Sequence, residues 1–211
     1  MTFVKAAGGP GYPAAVVTVL SDHELLDVAL DAFADRGYDG TSVRELCRRL
    51  GVSHNLVHER HGSKERLWYA AIEHGFRTLA GELAAAAAST DGDELERLRA
   101  ILVRYVEVTA ERPALIRIIN HEAARPGGRL DHVYERYIRP AHEVADVVLR
   151  DLAAAGRARP VSPATLHFLV GHGAGGIVSL PALAGRFPGA HGTLIDQARG
   201  AVDVVLRGIV T

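Results

Sequence analysis

Residues 41–67, TSVRELCRRLGVSHNLVHERHGSKERL, decide how this chain is read. Two short helical patterns flank Gly51-Val52-Ser53, and a further helix starts at Ser63-Lys64. Ser42-x-x-Glu45 has the form of a capping box, in which hydroxyl and carboxylate each satisfy a backbone N–H at the helix start. It opens a helix over 43–50. Gly51 supplies the left-handed residue that ends it, and Ser53 caps the next helix, about 54–60. Leu46, Cys47, Leu50, Val52 and Val57 fall where these helices face each other. Such a pair joined by a short turn is a helix-turn-helix, the module that lays its second helix in the DNA major groove.

Charge agrees with that placement. The 211-residue chain has a net charge of -1, which argues against a uniformly basic nucleic-acid binder. Its distribution is uneven. Residues 36–66 carry seven basic and four acidic side chains, a local net of +3, whereas residues 1–35 carry Lys5 against Asp22, Glu24, Asp27, Asp31 and Asp35. The second helix of the pair exposes Ser53, His54, Asn55 and His58, which can hydrogen-bond base edges or phosphates. Asn55 suits adenine, which it meets with two hydrogen bonds. Ser42, Val43, Arg44, Arg60 and Lys64 sit near helix starts, where backbone N–H groups also favour phosphate.

Around this segment the pattern is helical throughout. Gly8-Gly9-Pro10-Gly11 marks a flexible arm over 1–20. Ser21-x-x-Glu24 is another capping box, and Leu25, Leu26, Ala29, Leu30 and Phe33 recur at helical spacing until Gly37. A helix from Lys64 to about Ala88 carries Leu67, Trp68, Ala71, Ile72, Phe76 and Leu79 on one stripe and ends in five alanines, the residue that costs least to hold helical. Further helices are expected from about Leu95 to before Pro113, from there to about Ala124, over 130–155 with a bend at Pro140, over 164–184 and over 192–209. No period-2 strand occurs, so the fold class is all-α: a three-helix helix-turn-helix module over 21–68 and a second helical domain over 69–211.

The hydrophobic fraction of 48% supports a core, and Cys47, the sole cysteine, rules out an intrachain disulfide and fits a reducing cytosol. The apolar run Ala14–Leu20 leads into Ser21-Asp22-His23-Glu24, a helix start rather than a cleavage site. The most apolar long segment, Leu166–Leu183, is interrupted by His167, His172, glycines and Pro181, so no membrane association is expected.

Three patterns invite enzymatic or metal readings. His54, His58 and His61 stand at i, i+4, i+7, a ligand-like spacing, but polar residues belong on a recognition helix, and neither metal nor cofactor is expected. His121-Glu122-Ala123-Ala124-Arg125 has arginine where a zinc protease needs its second histidine. Gly171–Gly176 matches G-x-G-x-x-G without the strands a dinucleotide fold needs; glycines that let a neighbouring helix approach explain it better. A pocket in the second domain would be apolar with a few polar anchors. Tyr105, Ile118, His121, Glu122, Tyr134, Tyr137 and His167 are the candidates, with His142 and Phe168 near them in type.

Ala29, Phe33, Gly37, Tyr38, Thr41-Ser42-Val43, Leu46, Gly51-Val52-Ser53, Ser63-Lys64-Glu65 and Leu67 together resemble the DNA-binding end of the TetR family of transcriptional regulators, over about residues 24–72. The resemblance implies an all-α homodimer whose helix-turn-helix binds a palindromic double-stranded operator. It implies a second domain that holds a small-molecule effector and dimerises through the two C-terminal helices. A cytoplasmic repressor, not an enzyme, is the expected function; a helical small-molecule-binding protein or enzyme with a decayed helix-turn-helix is the alternative. Three positions depart from the family: His58 stands for tyrosine, His61 for phenylalanine, and Leu56, placed to meet a thymine methyl, for a small or hydroxyl residue. The unperturbed histidine pKa of about 6.5 makes DNA binding that varies with pH near neutrality a further expectation.

Overall fold

A computed structural model of the chain describes residues 21–91, 93–188 and 192–211. The expected arm at 1–20 lies outside the described residues. Those residues are helical, with no strand among them beyond an isolated antiparallel bridge between Ala158 and Val210. The chain divides into two compact units, Met1–Arg77 and Thr78–Thr211.

In the first unit, α1 (Asp22–Gly40) opens on the expected capping box: Glu24 N–H donates to Ser21 Oγ at 3.1 Å, and Ser21 N–H donates to the Glu24 carboxylate at 2.8 Å. Leu25, Ala29, Leu30, Ala32, Phe33 and Ala34 are buried. Gly37 takes φ 69°, ψ 174°, open to glycine at little cost. It kinks the helix rather than ending it, and one more turn runs to Gly40. Thr41, 4% exposed, shares its hydroxyl proton between the carbonyls of Gly37 (2.8 Å) and Ala32 (3.1 Å), which satisfies groups freed by the kink.

Next come α2 (Val43–Leu50) and α3 (His54–His61), joined by Gly51 at φ 63°, ψ 32°. Ser53 caps α3 as expected, its Oγ accepting from Leu56 N–H at 3.2 Å. At α2 only half of the expected box forms. Ser42 Oγ accepts from Glu45 N–H at 3.4 Å, but the Glu45 carboxylate turns to Arg48, taking two hydrogen bonds at 2.8 and 2.7 Å. A two-pronged bond to a guanidinium outcompetes the return bond to one amide. Leu46, Cys47 and Val57 are buried between these helices, while Leu50 and Val52 are half-buried. Burial pushes the Cys47 thiol up, away from the reactive thiolate.

Helix α4 (Lys64–Ala88) supplies residues to both units. Its first part buries Leu67, Trp68, Ala71 and Ile72, each 0% exposed. Trp68 stands edge-on to Tyr38 and Tyr69, at 6.5 and 5.2 Å between ring centres. His74 Nε2 lies 2.9 Å from Asp27 Oδ1, tying α4 to α1.

The second unit contains α5 (Glu94–Glu111), α6 (Ala114–Ala123), α7 (Gly128–Val133), α8 (Arg139–Ala154), α9 (Pro163–His167), α10 (Gly175–Ser179), α11 (Pro181–Ala184) and α12 (Leu194–Ile209). Its core joins Leu98 and Val106 of α5 to Leu149 and Leu152 of α8, Leu166, Val170, Ala174 and Val178, and Ala198, Val202, Leu206 and Ile209 of α12. Two expected long helices are not continuous α-helix. A π-helical segment, Tyr134–Ile138, separates α7 from α8 just before Pro140, where the sequence suggested a bend. A second, Phe168–Ala174, separates α9 from α10, and Leu180 (φ -120°, ψ 54°) ends that helix before Pro181 starts α11. Proline lacks the N–H that continuation needs. Polar ties cross the unit: Arg104 of α5 bonds Glu82 of α4 (2.9 Å) and its own helix's Glu107 and Glu111, and Arg199 of α12 reaches Glu107 at 2.6 Å. Arg99 pairs with Asp203 at 2.9 Å. No helix among the described residues is long and apolar enough to cross a membrane.

Candidate nucleic-acid interface

The positions singled out in the first unit differ in how free they are. Ser42 and Ser53 are N-caps, their hydroxyls already accepting one backbone N–H each. Arg44 is exposed on α2, and Val43 beside it is half-buried. On α3, Asn55 and His58 are exposed and Leu56 is half-buried, so these three types of contact (amide, imidazole, methyl) lie along one short helix. The backbone of His54 opens that helix.

Arg60 and Lys64 are held by protein. Arg60 Nη1 lies 3.3 Å from Asp22 Oδ1, with the Arg60 side chain only 10% exposed. Lys64 Nζ donates to the Asp39 carbonyl at 3.3 Å and sits 4.6 Å from the centre of the Tyr38 ring, a cation–π position. The His61 side chain, 9% exposed, lies beside Arg60, its Nε2 3.7 Å from the same Asp22 oxygen. Burial pushes its pKa below the ordinary value; Asp22 opposes this and Arg60 adds to it. That moves His61 away from neutrality as a pH sensor. Among the described residues no group of three or more His, Cys, Asp or Glu is arranged to hold a metal ion.

In the second unit the pocket candidates fall into two sets. Tyr105 of α5 packs on the second π segment and α10, where a Cβ on Gly171 would lie 3.5 Å from its hydroxyl and one on Gly175 3.7 Å from its ring. The G-x-G-x-x-G stretch lies within helical backbone, and of its three glycines only Gly171 faces Tyr105. Burial pushes the Tyr105 phenol up. His167 at the end of α9 meets His142 of α8 at 4.9 Å, His172 at 5.7 Å and Phe168 at 5.4 Å between ring centres. In the other set, Ile118 of α6 is buried, and His121 is exposed. Glu122 bonds Arg129 at 2.9 Å. In the first π segment, Tyr134 is 44% exposed and Tyr137 meets the His132 ring at 5.9 Å.

Sequence reasoning missed His172 as a partner of His167. Five residues apart, the two lie on different faces of an α-helix; the wider i→i+5 turn of the π segment brings them together. This cluster makes a testable prediction. Burial first, then the two neighbouring imidazoles, hold His167 down to about 4. The unfolded chain binds a proton near 6.5 that the folded chain refuses, so the stabilisation is whole above pH 6.5 and is lost as pH falls towards 4. His167→Gln is expected to flatten the fall in unfolding midpoint across that window, measured by denaturant titration. An unchanged pH profile contradicts it.

Comparison with known proteins returns first to the amino-terminal unit. Residues 25–71 match the sequence profile described as bacterial regulatory proteins, tetR family. An HTH-type transcriptional repressor of Mycobacterium tuberculosis is 40% identical over 50 residues, 24% of this chain and 27% of that protein. The chain thus matches about a quarter of the length of that curated relative. Over the whole chain the likeness is one of fold. The ketosteroid transcriptional regulator KstR2 of Mycobacterium tuberculosis superposes with a TM-score of 0.66 at 22% identity, over 92% of this chain and 97% of its own. AibR in complex with isovaleryl coenzyme A and operator DNA superposes at 0.66 with 21% identity, over 85% and 95%.

Proposed function

The chain carries a tetR-family module over residues 25–71, and from that premise we propose that it is a dimeric transcriptional repressor released from a palindromic operator by a small molecule. The observation that carries this is α3. It is a capped helix that exposes Asn55 and His58, set by the left-handed Gly51 turn on a helix with an exposed Arg44. Asn55, Leu56 and His58 meet base edges; Ser42, Val43, Arg44, Ser53 and the start of α3 at His54 border the phosphates. Two copies place their α3 helices one DNA turn apart.

The second unit binds the effector and joins the two copies through its two C-terminal helices. Exposed Phe168, Leu169 and Val204, at 63%, 46% and 64%, support the pairing of copies there. AibR was solved with isovaleryl coenzyme A and operator DNA together, which supports a small-molecule ligand and a DNA partner for this chain as well. The ligand acts by binding one conformation of the dimer better than the other, and only that difference shifts DNA affinity. Helix α4, tied through Glu82 to Arg104, carries the change to the first unit. The chain is cytoplasmic and has no catalytic role.

Operator binding by variants tests the assignment of residues. Arg44→Ala is expected to weaken binding to every sequence and to lower the slope of log K against log salt by about 1 for each protomer. Asn55→Ala is expected to relax preference at one base pair, by about 1–3 kcal/mol, with a smaller loss elsewhere. Equal loss for Asn55→Ala on every operator variant contradicts a base-reading role.

A further inference from the structure

Arg60 ends the helix that reads DNA, and its charge is the natural one to assign to a phosphate. Its surroundings say otherwise. The side chain is 10% exposed, its Nη1 is 3.3 Å from Asp22 Oδ1, and Asp22 lies 38 residues earlier, in the first turn of α1. A charge this far removed from water is not left unpaired without large cost, and here the carboxylate supplies the pair. His61, with its side chain 9% exposed, places Nε2 3.7 Å from the same Asp22 oxygen and is held below its ordinary pKa, chiefly by burial. The far end of α3 is thereby fixed to the start of α1 from within the protein. Asp22 itself is 60% exposed.

We propose that Asp22 is a positioning residue for DNA binding: it holds Arg60 against α1, keeping that guanidinium off the phosphate backbone and setting the C-terminal end of α3 by an internal ion pair. This rests on the DNA-binding reading above. It gives the acidic start of α1 a role in recognition, and it removes Arg60 from the phosphate ligands, leaving Arg44 and the helix starts to carry that contact.

The test uses the full chain and a mixed-sequence duplex, because phosphate binding does not depend on base sequence. Fluorescence anisotropy at rising salt gives the slope of log K against log salt. Arg60→Gln is expected to leave the native slope unchanged. Asp22→Asn is expected to steepen it by about 0.9 for each protomer bound, as the released Arg60 gains a phosphate. Arg60→Gln on that background restores the native slope, and Asp22→Glu keeps it. A purely structural role for Asp22 lowers melting temperature without changing the slope, and that result overturns the proposal. So does flattening by about 0.9 in Arg60→Gln alone, an arm that stands even if Asp22→Asn does not fold. A native chain with no salt-dependent binding overturns the DNA-binding reading itself, a different outcome from a native chain that binds with insensitive variants.

Discussion

Trp68→Ala is expected to remove about 3–5 kcal/mol from the amino-terminal unit, the usual range for truncating a buried large aromatic. Trp68 is 0% exposed and is the largest fully buried side chain described. It stands edge-on to Tyr38 and Tyr69, and its neighbours along α4, Leu67, Ala71 and Ile72, are equally buried. Beyond area, paired aromatic rings contribute about 0.5–1.5 kcal/mol. Small domains hold only about 5–15 kcal/mol in total, so this one change consumes a large share. Tyr38 also carries Lys64 over its ring, so the loss reaches a residue flanking α3. Hydrogen exchange is the suitable readout, because two units need not unfold together. Amides of α1 and α4 before Arg77 are expected to exchange faster by two or more orders of magnitude (about 1.4 kcal/mol per factor of ten), while those of α12 keep their protection. A loss below about 1 kcal/mol, the centre of the range for point substitutions of all kinds, contradicts the packing role described.

Phe168→Glu is expected to break the proposed dimer. Phe168 is 63% exposed on the second π segment, beside exposed Leu169, and the segment packs on α12, which carries exposed Val204. Burying a side chain of this size contributes about 1.5–3 kcal/mol. A two-fold interface uses each patch twice, so removal costs about 4 kcal/mol, roughly a thousandfold in dissociation constant. Burying a carboxylate in its place adds to this. Sedimentation equilibrium is expected to give twice the 22.6 kDa chain mass for the native protein and the single mass for Phe168→Glu, with Phe168→Ala between them. Operator affinity should fall with it, since each half-site then binds alone. A Phe168→Glu protein that stays dimeric contradicts the assignment of this face.

What the sequence disclosed and what it hid differ by range. Ser21, Ser53 and Gly51 were legible because a cap or a left-handed turn is set by residues three or four apart. Leu25, Leu46, Val57, Leu67 and Trp68 were legible because burial repeats with the helix period. The half-box at Ser42 was not, because Arg48 competes for Glu45 and the pattern alone gives no ranking of the two. The π segments were not, since one extra residue per turn leaves the apolar pattern almost unchanged while rotating everything after it; His172 was lost that way. The Asp22–Arg60 pair spans 38 residues, beyond any local rule. The surroundings of the pocket candidates were not legible: Glu122 pairs with Arg129 and Tyr105 packs beside Gly171 and Gly175, neither of which composition reveals.

Sequence-selective, salt-sensitive binding to DNA is the central claim, and titrating the native chain against duplexes tiled across the promoter region of its own gene tests it most directly. The expected result is one strongly preferred duplex holding an inverted repeat with half-sites about one helical turn apart, bound by two chains, with affinity falling about 10³–10⁵-fold between 50 and 200 mM salt for six to ten phosphate contacts. Equal affinity for every duplex, or none for any, would contradict it.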